Sequence, residues 1–129
     1  ALQTISGFDG LTTVGNDFCV SHHNGLQAMD ISGFNQLAAV GNDFDIYSNG
    51  ALQSISGFPQ LAIVGNELRI SHNSLYHVTG IGLQDISGFD QLATVGTALR
   101  IYYNYDLRTI SGFGKLVNAP RYLDISDNV

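Results

Sequence analysis

Tyrosine and histidine are the side chains of this chain best suited to surface chemistry, and they fall into register. Aligning residues 44–49, 68–73 and 99–104 with their siblings places Ser21, Tyr47, Ser71, Tyr102 and Ser126 in one column. Beside it runs a second column of His22, Ser48, His72, Tyr103 and Asp127. Tyrosine supplies a large amphipathic contact at low entropic cost, so a face carrying such rings suits recognition. The candidate binding residues on this face are Tyr47, Ser71, His72, Tyr102, Tyr103 and His22. A second candidate surface is the stretch 74–82, seven residues longer than its counterpart one repeat later, with Leu75, Tyr76 and His77 at its centre.

The four histidines raise the question of a metal. His22 and His72 share a column but stand two repeats apart, roughly 9–10 Å at the backbone. A zinc ion needs both imidazole nitrogens within about 2.1 Å, which is awkward from that separation. No His-x-x-x-His pattern or cysteine pair assists, so no metal and no cofactor is expected; pH-sensitive binding is the better use of these side chains. Asp17, Asp43 and Glu67 form an acidic column beside Asn16, Asn42 and Asn66, read as solvated turn residues, with a shared cation as the alternative. Ser6, Ser32, Ser56, Ser87 and Ser111 recur in every repeat, which marks architecture and not a nucleophile. No Gly-x-Ser-x-Gly elbow, phosphate loop or zinc helix is present, so the chain is not expected to be an enzyme.

The elements that must position these residues come from one repeated phrase, Leu-Gln-x-Ile-Ser-Gly-Phe. Its leading leucines, Leu2, Leu26, Leu52, Leu83 and Leu107, are spaced 24, 26, 31 and 24 residues apart. A period in the twenties means that each unit is one coil of a solenoid, burying its apolar side only against its neighbours. The expected fold is a right-handed single-stranded β-helix of five coils, with one main strand per coil stacked into a parallel sheet. The coils span 1–25, 26–51, 52–82, 83–106 and 107–129 of a single domain. The strand pattern is Phe44-Asp45-Ile46-Tyr47 and its equivalents, alternating apolar and variable residues. Phe8, Phe34, Phe58, Phe89 and Phe113 are expected to stack as a core spine. Leu11 and its equivalents, three residues on, suit a short helical or 3₁₀ turn. Asn49, Asn73, Asn104 and Asn128 end the strands and are expected to bond the backbone of the next coil as the chain turns; the first coil offers His23 and Asn24 there. Asp45 with Arg69, and Arg100 with Asp124, are expected as opposite-charge rungs.

The pattern Leu-x-Ile-x-x-Asn at residues 68–73 and 99–104 resembles the leucine-rich-repeat superfamily. The alternation of Val-Gly-x-x-Leu-x-Ile-x-x-Asn (64–73) with Leu-x-x-Ile-x-Gly-Phe-x-x-Leu (83–92) is more similar to the L-domain variant found in growth-factor-receptor ectodomains and bacterial surface proteins. The resemblance implies an extracellular or cell-surface setting and a repeat scaffold that hosts many kinds of partner. The flanking cysteines and capping helix of the receptor domains have no counterpart here, and the last coil reads Val117-Asn118-Ala119-Pro120 where its siblings end in Val-Gly, as in Ala93-Thr94-Val95-Gly96.

Composition narrows the partners. Eleven acidic and five basic residues give a net charge of −6, which disfavours nucleic acid and anionic membrane surfaces. No apolar stretch suggests a transmembrane helix. The single cysteine, Cys19, allows no intrachain disulfide. Leu2, Ile5 and Phe8 leave the first coil open to self-association or a neighbouring domain, whereas Arg108, Lys115, Arg121 and Pro120 are expected to blunt the last coil. Because solenoids need caps at both ends, the sequence is expected to be a segment of a longer protein. The expected function is non-catalytic adhesion or recognition of a protein or glycan through the strand face and the insertion. The alternatives are a purely structural spacer and an ice-binding face built on Thr12-Thr13, Ala38-Ala39, Ala62 and Ala93-Thr94.

Overall fold

A computed structural model describes residues 2–25, 29–117 and 120–128. Leu26 of the second repeated phrase, and Asn118 and Ala119 of the departure in the last coil, lie outside them. The chain is a parallel β-solenoid of about five turns, and the described residues contain no helix. Three sheets run along it. The first holds β1 (Thr4–Ile5), β4 (Met29–Ile31), β7 (Leu52–Ile55), β10 (Asp85–Ile86) and β13 (Thr109–Ile110). The second holds β2 (Thr13–Val14), β5 (Ala39–Val40), β8 (Ile63–Val64) and β11 (Thr94–Val95). The third holds β3 (Phe18–Ser21), β6 (Phe44–Tyr47), β9 (Glu67–Ser71), β12 (Ala98–Tyr102) and β14 (Tyr122–Ser126). The strand read from the sequence is this third one, the longest in most coils, and the other two sheets accompany it.

Within the third sheet the pairing is in register from coil to coil, Phe18↔Phe44↔Leu68↔Leu99↔Leu123 and Val20↔Ile46↔Ile70↔Ile101↔Ile125. Each such row puts like side chains on one face, so the alternation inherited from the sequence becomes a continuous core. The phenylalanine spine forms as expected. Phe8, Phe34, Phe58, Phe89 and Phe113 stack with centroids 5.0, 5.2, 5.7 and 5.2 Å apart, at interplanar angles of no more than 16°. Phe18 and Phe44 stack on each other at 4.8 Å and meet Phe58 edge-on. The Phe-x-x-Leu spacing makes a hydrogen-bonded turn and not a helix: Leu11 N–H donates to Phe8 O at 2.9 Å, and Leu61 N–H to Phe58 O at 3.2 Å.

The asparagine column is buried at Asn49, Asn73 and Asn104 and half-buried at Asn128, and it corrects the expected direction: the inter-coil backbone partners of its side chains lie in the preceding coil, which the chain has just left, and not in the next one. Asn73 Nδ2 donates to Ile46 O (2.9 Å) and its Oδ1 accepts from Asn49 N–H (3.1 Å). Asn104 does the same with Ile70 O and Asn73 N–H, and Asn128 with Ile101 O and Asn104 N–H. Among the described residues no buried side-chain nitrogen or oxygen lacks a partner. In the first coil His23 N–H is bound by Asn49 Oδ1, and Asn24 Oδ1 accepts from Gly50 N–H.

One expectation is reversed. The last coil is not blunted by its charges: Leu123 and Ile125 are 60% and 53% exposed, comparable with Phe8 at 48% in the first coil. Arg108 and Lys115 lie on other columns (Lys115 Nζ donates to Gln91 Oε1) and leave the inward row of β14 open.

Candidate functional site

The third sheet ends in an unusual backbone. His22, Ser48, His72, Tyr103 and Asp127 all have positive φ, between 50° and 64°. The left-handed conformation turns the chain just before Asn49, Asn73, Asn104 and Asn128, and before His23 in the first coil, and it is costly for any residue with a Cβ. Ser, His and Asp are short or polar enough to be common there; tyrosine is not. The turn carries this second column past the end of the strand, beside the outward column of Tyr47 and Tyr102.

The two columns interlock. His22 meets the Tyr47 ring edge-on at 5.2 Å, and His72 meets Tyr102 edge-on at 5.5 Å. His72 also lies 4.9 Å from Tyr103, which is 5.4 Å from Tyr102. Tyr47 and Tyr102 are half-buried, while His22, His72 and Tyr103 are exposed. Ser71 is 2% exposed, so it acts as a short spacer between the two tyrosines and not as a contact residue.

Tyr47 is braced from the other column of the sheet. The Arg69 guanidinium lies over its ring at 4.9 Å and holds Asp45 through two bonds, Nε to Oδ1 at 3.0 Å and Nη2 to Oδ2 at 2.9 Å. This is the expected rung. Burial pushes the Asp45 carboxyl above its ordinary range, with Asp43 and Asp17 adding to it, against the opposing hydrogen bond and attraction of Arg69. For Arg69, burial works against its charge but the bond and attraction of Asp45 prevail and hold the proton more firmly. The second expected rung does not form. Arg100 stands opposite Asp124 in register, yet its ion pair is with Glu67 at 3.8 Å. Glu67 lies on β9 opposite Ala98, a diagonal reach that a long arginine covers.

The acidic column is structural. Asp17 Oδ1 accepts from Asn42 Nδ2 (2.6 Å) and Asp43 N–H (3.2 Å), and Asp43 Oδ1 accepts from Asn66 Nδ2 (2.7 Å) and Glu67 N–H (3.1 Å). These carboxylates tie one coil corner to the next. Among the described residues no group of three or more His, Cys, Asp or Glu is placed to hold a metal ion.

The insertion joins the strand face instead of standing apart from it. Leu75 packs against the buried Gly50, where any Cβ would come within 2.3 Å of its Cδ2. Asp106 pins the far end, its Oδ1 accepting from Gly80 N–H (2.7 Å) and its Oδ2 from Gly82 N–H (3.0 Å). Tyr76, 72% exposed, then lies 4.2 Å from His77 and 6.0 Å from Tyr105. Tyr105 in turn is 6.2 Å from Tyr103. Residues 75–79 with Tyr105 and Asp106 line an open cleft of about 270 Å³. Tyr105 and Asp106 escaped the sequence reading because they sit in a turn outside the strand columns. The signal that marks them is their place in coil four, level with the insertion of coil three.

The second sheet is less organised for binding. The second sheet presents Thr13, Ala39, Ile63 and Thr94 on strands of two residues each, with Ile63 breaking the row of small side chains. No helix among the described residues is long and apolar enough to cross a membrane. No protein-family model matches the chain, and neither a curated protein nor a solved structure is significantly similar to it.

Proposed function

We propose that this chain is a non-catalytic recognition module of an extracellular or cell-surface protein, binding a protein or glycan through one aromatic face. It is similar in repeat pattern to the leucine-rich-repeat type of receptor L domain, and the surface setting rests on that likeness. The observation that carries the reading is the unbroken run of rings His72, Tyr102, Tyr103, Tyr105, Tyr76 and His77, which joins the strand face to the insertion. The scaffold beneath it is rigid, with inter-coil bonds at every corner, so little order is lost when a ligand is bound. A spacer has no use for a bulky residue such as Tyr103 in the left-handed region.

The test is simultaneous replacement of Tyr47, Tyr102 and Tyr103 by alanine, followed by binding to cells or extracellular matrix. Recognition through this face predicts loss of binding with the solenoid still folded by circular dichroism. Unchanged binding would favour the spacer. Ice binding through the second sheet is separated by crystal habit, which this reading expects to be unaltered in the protein's presence.

A further inference from the structure

The outward row of the third sheet has a period that the core does not. Core columns repeat in every coil, but Ser21, Tyr47, Ser71, Tyr102 and Ser126 stand in register as small, large, small, large, small. In the left-handed column beside it, both histidines fall in serine coils, and each of them, His22 and His72, packs edge-on against the tyrosine of the next coil, while Tyr103 adds a second ring in the coil of Tyr102. The same His–Tyr unit therefore occurs twice, displaced by two strands, which is roughly 9.6 Å at the usual strand spacing. Nothing in the packing of the interior asks for a two-coil step. Of the charges beside the row, Arg69 is paired with Asp45 and Arg100 with Glu67.

We propose that this face binds an extended, uncharged β-1,4-linked polysaccharide of the cellulose or chitin type, lying along the solenoid axis. The inference rests on the recognition reading above and names its ligand. In such a chain successive sugars are flipped, so every second sugar presents the same apolar face, and the two-sugar repeat advances by about the distance between Tyr47 and Tyr102. Each tyrosine then takes one sugar face, Tyr47 with the side of its ring that Arg69 does not cover, and the covered Ser71 leaves room for the intervening sugar. A polymer with a repeat is the natural partner for a surface with the same repeat. A folded protein epitope has no reason to match a two-strand step, and a nucleic acid would need free cations, whereas Arg69 and Arg100 are each paired with a carboxylate.

Retention on microcrystalline cellulose, on chitin and on granular starch tests this, starch being α-linked and helical. The expected result is retention on cellulose or chitin and little on starch. Tyr47→Ala and Tyr102→Ala should each weaken it about tenfold, the worth of one interfacial anchor, and Tyr47→Phe should keep it. The decisive variant is Ser21→Tyr with Tyr47→Ser, which keeps the number of rings but sets them three strands apart; it should bind like Tyr47→Ala. Full retention by that variant, or equal retention on starch, overturns the proposal. No retention on any of the three polymers, while Tyr47→Ala and Tyr102→Ala still weaken binding to cells or matrix, overturns the polysaccharide and leaves the recognition reading standing. Indifference of both assays to every variant removes both.

Discussion

Asn49 donates its backbone N–H to the side-chain Oδ1 of Asn73 across a coil boundary, at 3.1 Å, in the middle of the stack. The same amide returns a hydrogen to Ile46 O at 2.9 Å. One side chain thus satisfies two buried backbone groups that the chain exposes as it leaves the strand, and no other residue type has a donor and an acceptor so placed. Replacing Asn73 by alanine strands both groups. Each unsatisfied buried polar group costs about 1–3 kcal/mol, so Asn73→Ala should cost about 2–6 kcal/mol. Asn128→Ala, at a half-buried position, should cost less. Urea unfolding of the two variants checks the order; equal losses would mean that the ladder does not depend on burial.

Glycine at the corner after each valine offers a second contrast. A Cβ on Gly65 would meet Gly41 O at 2.0 Å, whereas one on Gly15 would meet nothing within 4 Å. The coils approach too closely there for any side chain, and overpacking against backbone has no soft direction in which to relax. Gly65→Ala should destabilise the solenoid by about 3 kcal/mol or more, and Gly15→Ala by under about 1 kcal/mol. Thermal unfolding of the pair is the measurement, and a mild effect at Gly65 would contradict the inter-coil spacing.

How much of this was legible follows the strength of each local signal. The phenylalanine spine, the long strand and the asparagine ladder each rest on a column repeated four or five times, and these came through. The first and second sheets did not, because most of their strands have only two residues, too few for an alternation to register. The Arg100–Glu67 pair was missed because strict cross-strand reasoning pairs Arg100 with Asp124 and overlooks the diagonal. The exposure of Leu123 and Ile125 carries no sequence signal, because nearness along the chain does not place Arg108 and Lys115 on the open edge. On the binding face, the strand tyrosines were visible as columns, but Tyr105 belongs to no column and becomes meaningful only when the insertion is seen beside it.

The Asp45–Arg69 pair carries a pH prediction of definite sign. Burial raises the Asp45 carboxyl in the folded chain above its unfolded value, so the folded state takes up this proton first. Its contribution to stability is therefore fully present below the unfolded carboxylate range and is lost as pH rises through the raised folded value. Compared with Asp45→Asn, which lacks the titration, the wild-type chain should gain relative stability on acidification from neutral pH. Chemical unfolding of both proteins at neutral pH and below the carboxylate range checks this; a relative loss on acidification would show that the attraction of Arg69, not burial, governs the carboxylate.

Asp106 should act on the insertion alone. Its two oxygens hold Gly80 and Gly82 through backbone bonds, while the core lies elsewhere. Asp106→Ala should raise hydrogen exchange at those two amides and leave the buried Asn73 and Asn104 amides protected, because loops and core open separately. The global cost should stay within about 1–2 kcal/mol. If Tyr76 is part of the binding face, the same variant should weaken ligand binding without changing the circular dichroism spectrum.

Tyr103 brings the backbone and the function together. Its φ of 54° places a bulky side chain where asparagine or glycine is the comfortable choice. A left-handed residue with a Cβ costs about 1–2 kcal/mol, and strain of this kind persists where the position serves another purpose. Tyr103→Asn should therefore stabilise the solenoid, by up to about 1 kcal/mol once the lost ring contacts with His72 and Tyr102 are deducted. The same substitution should weaken binding, since it opens a gap in the ring run between Tyr102 and Tyr105. Melting temperature and ligand retention measured on one preparation decide the matter. A variant both more stable and equally retentive would show that the strain at Tyr103 serves no ligand, and would move the binding site back to Tyr47 and Tyr102 alone.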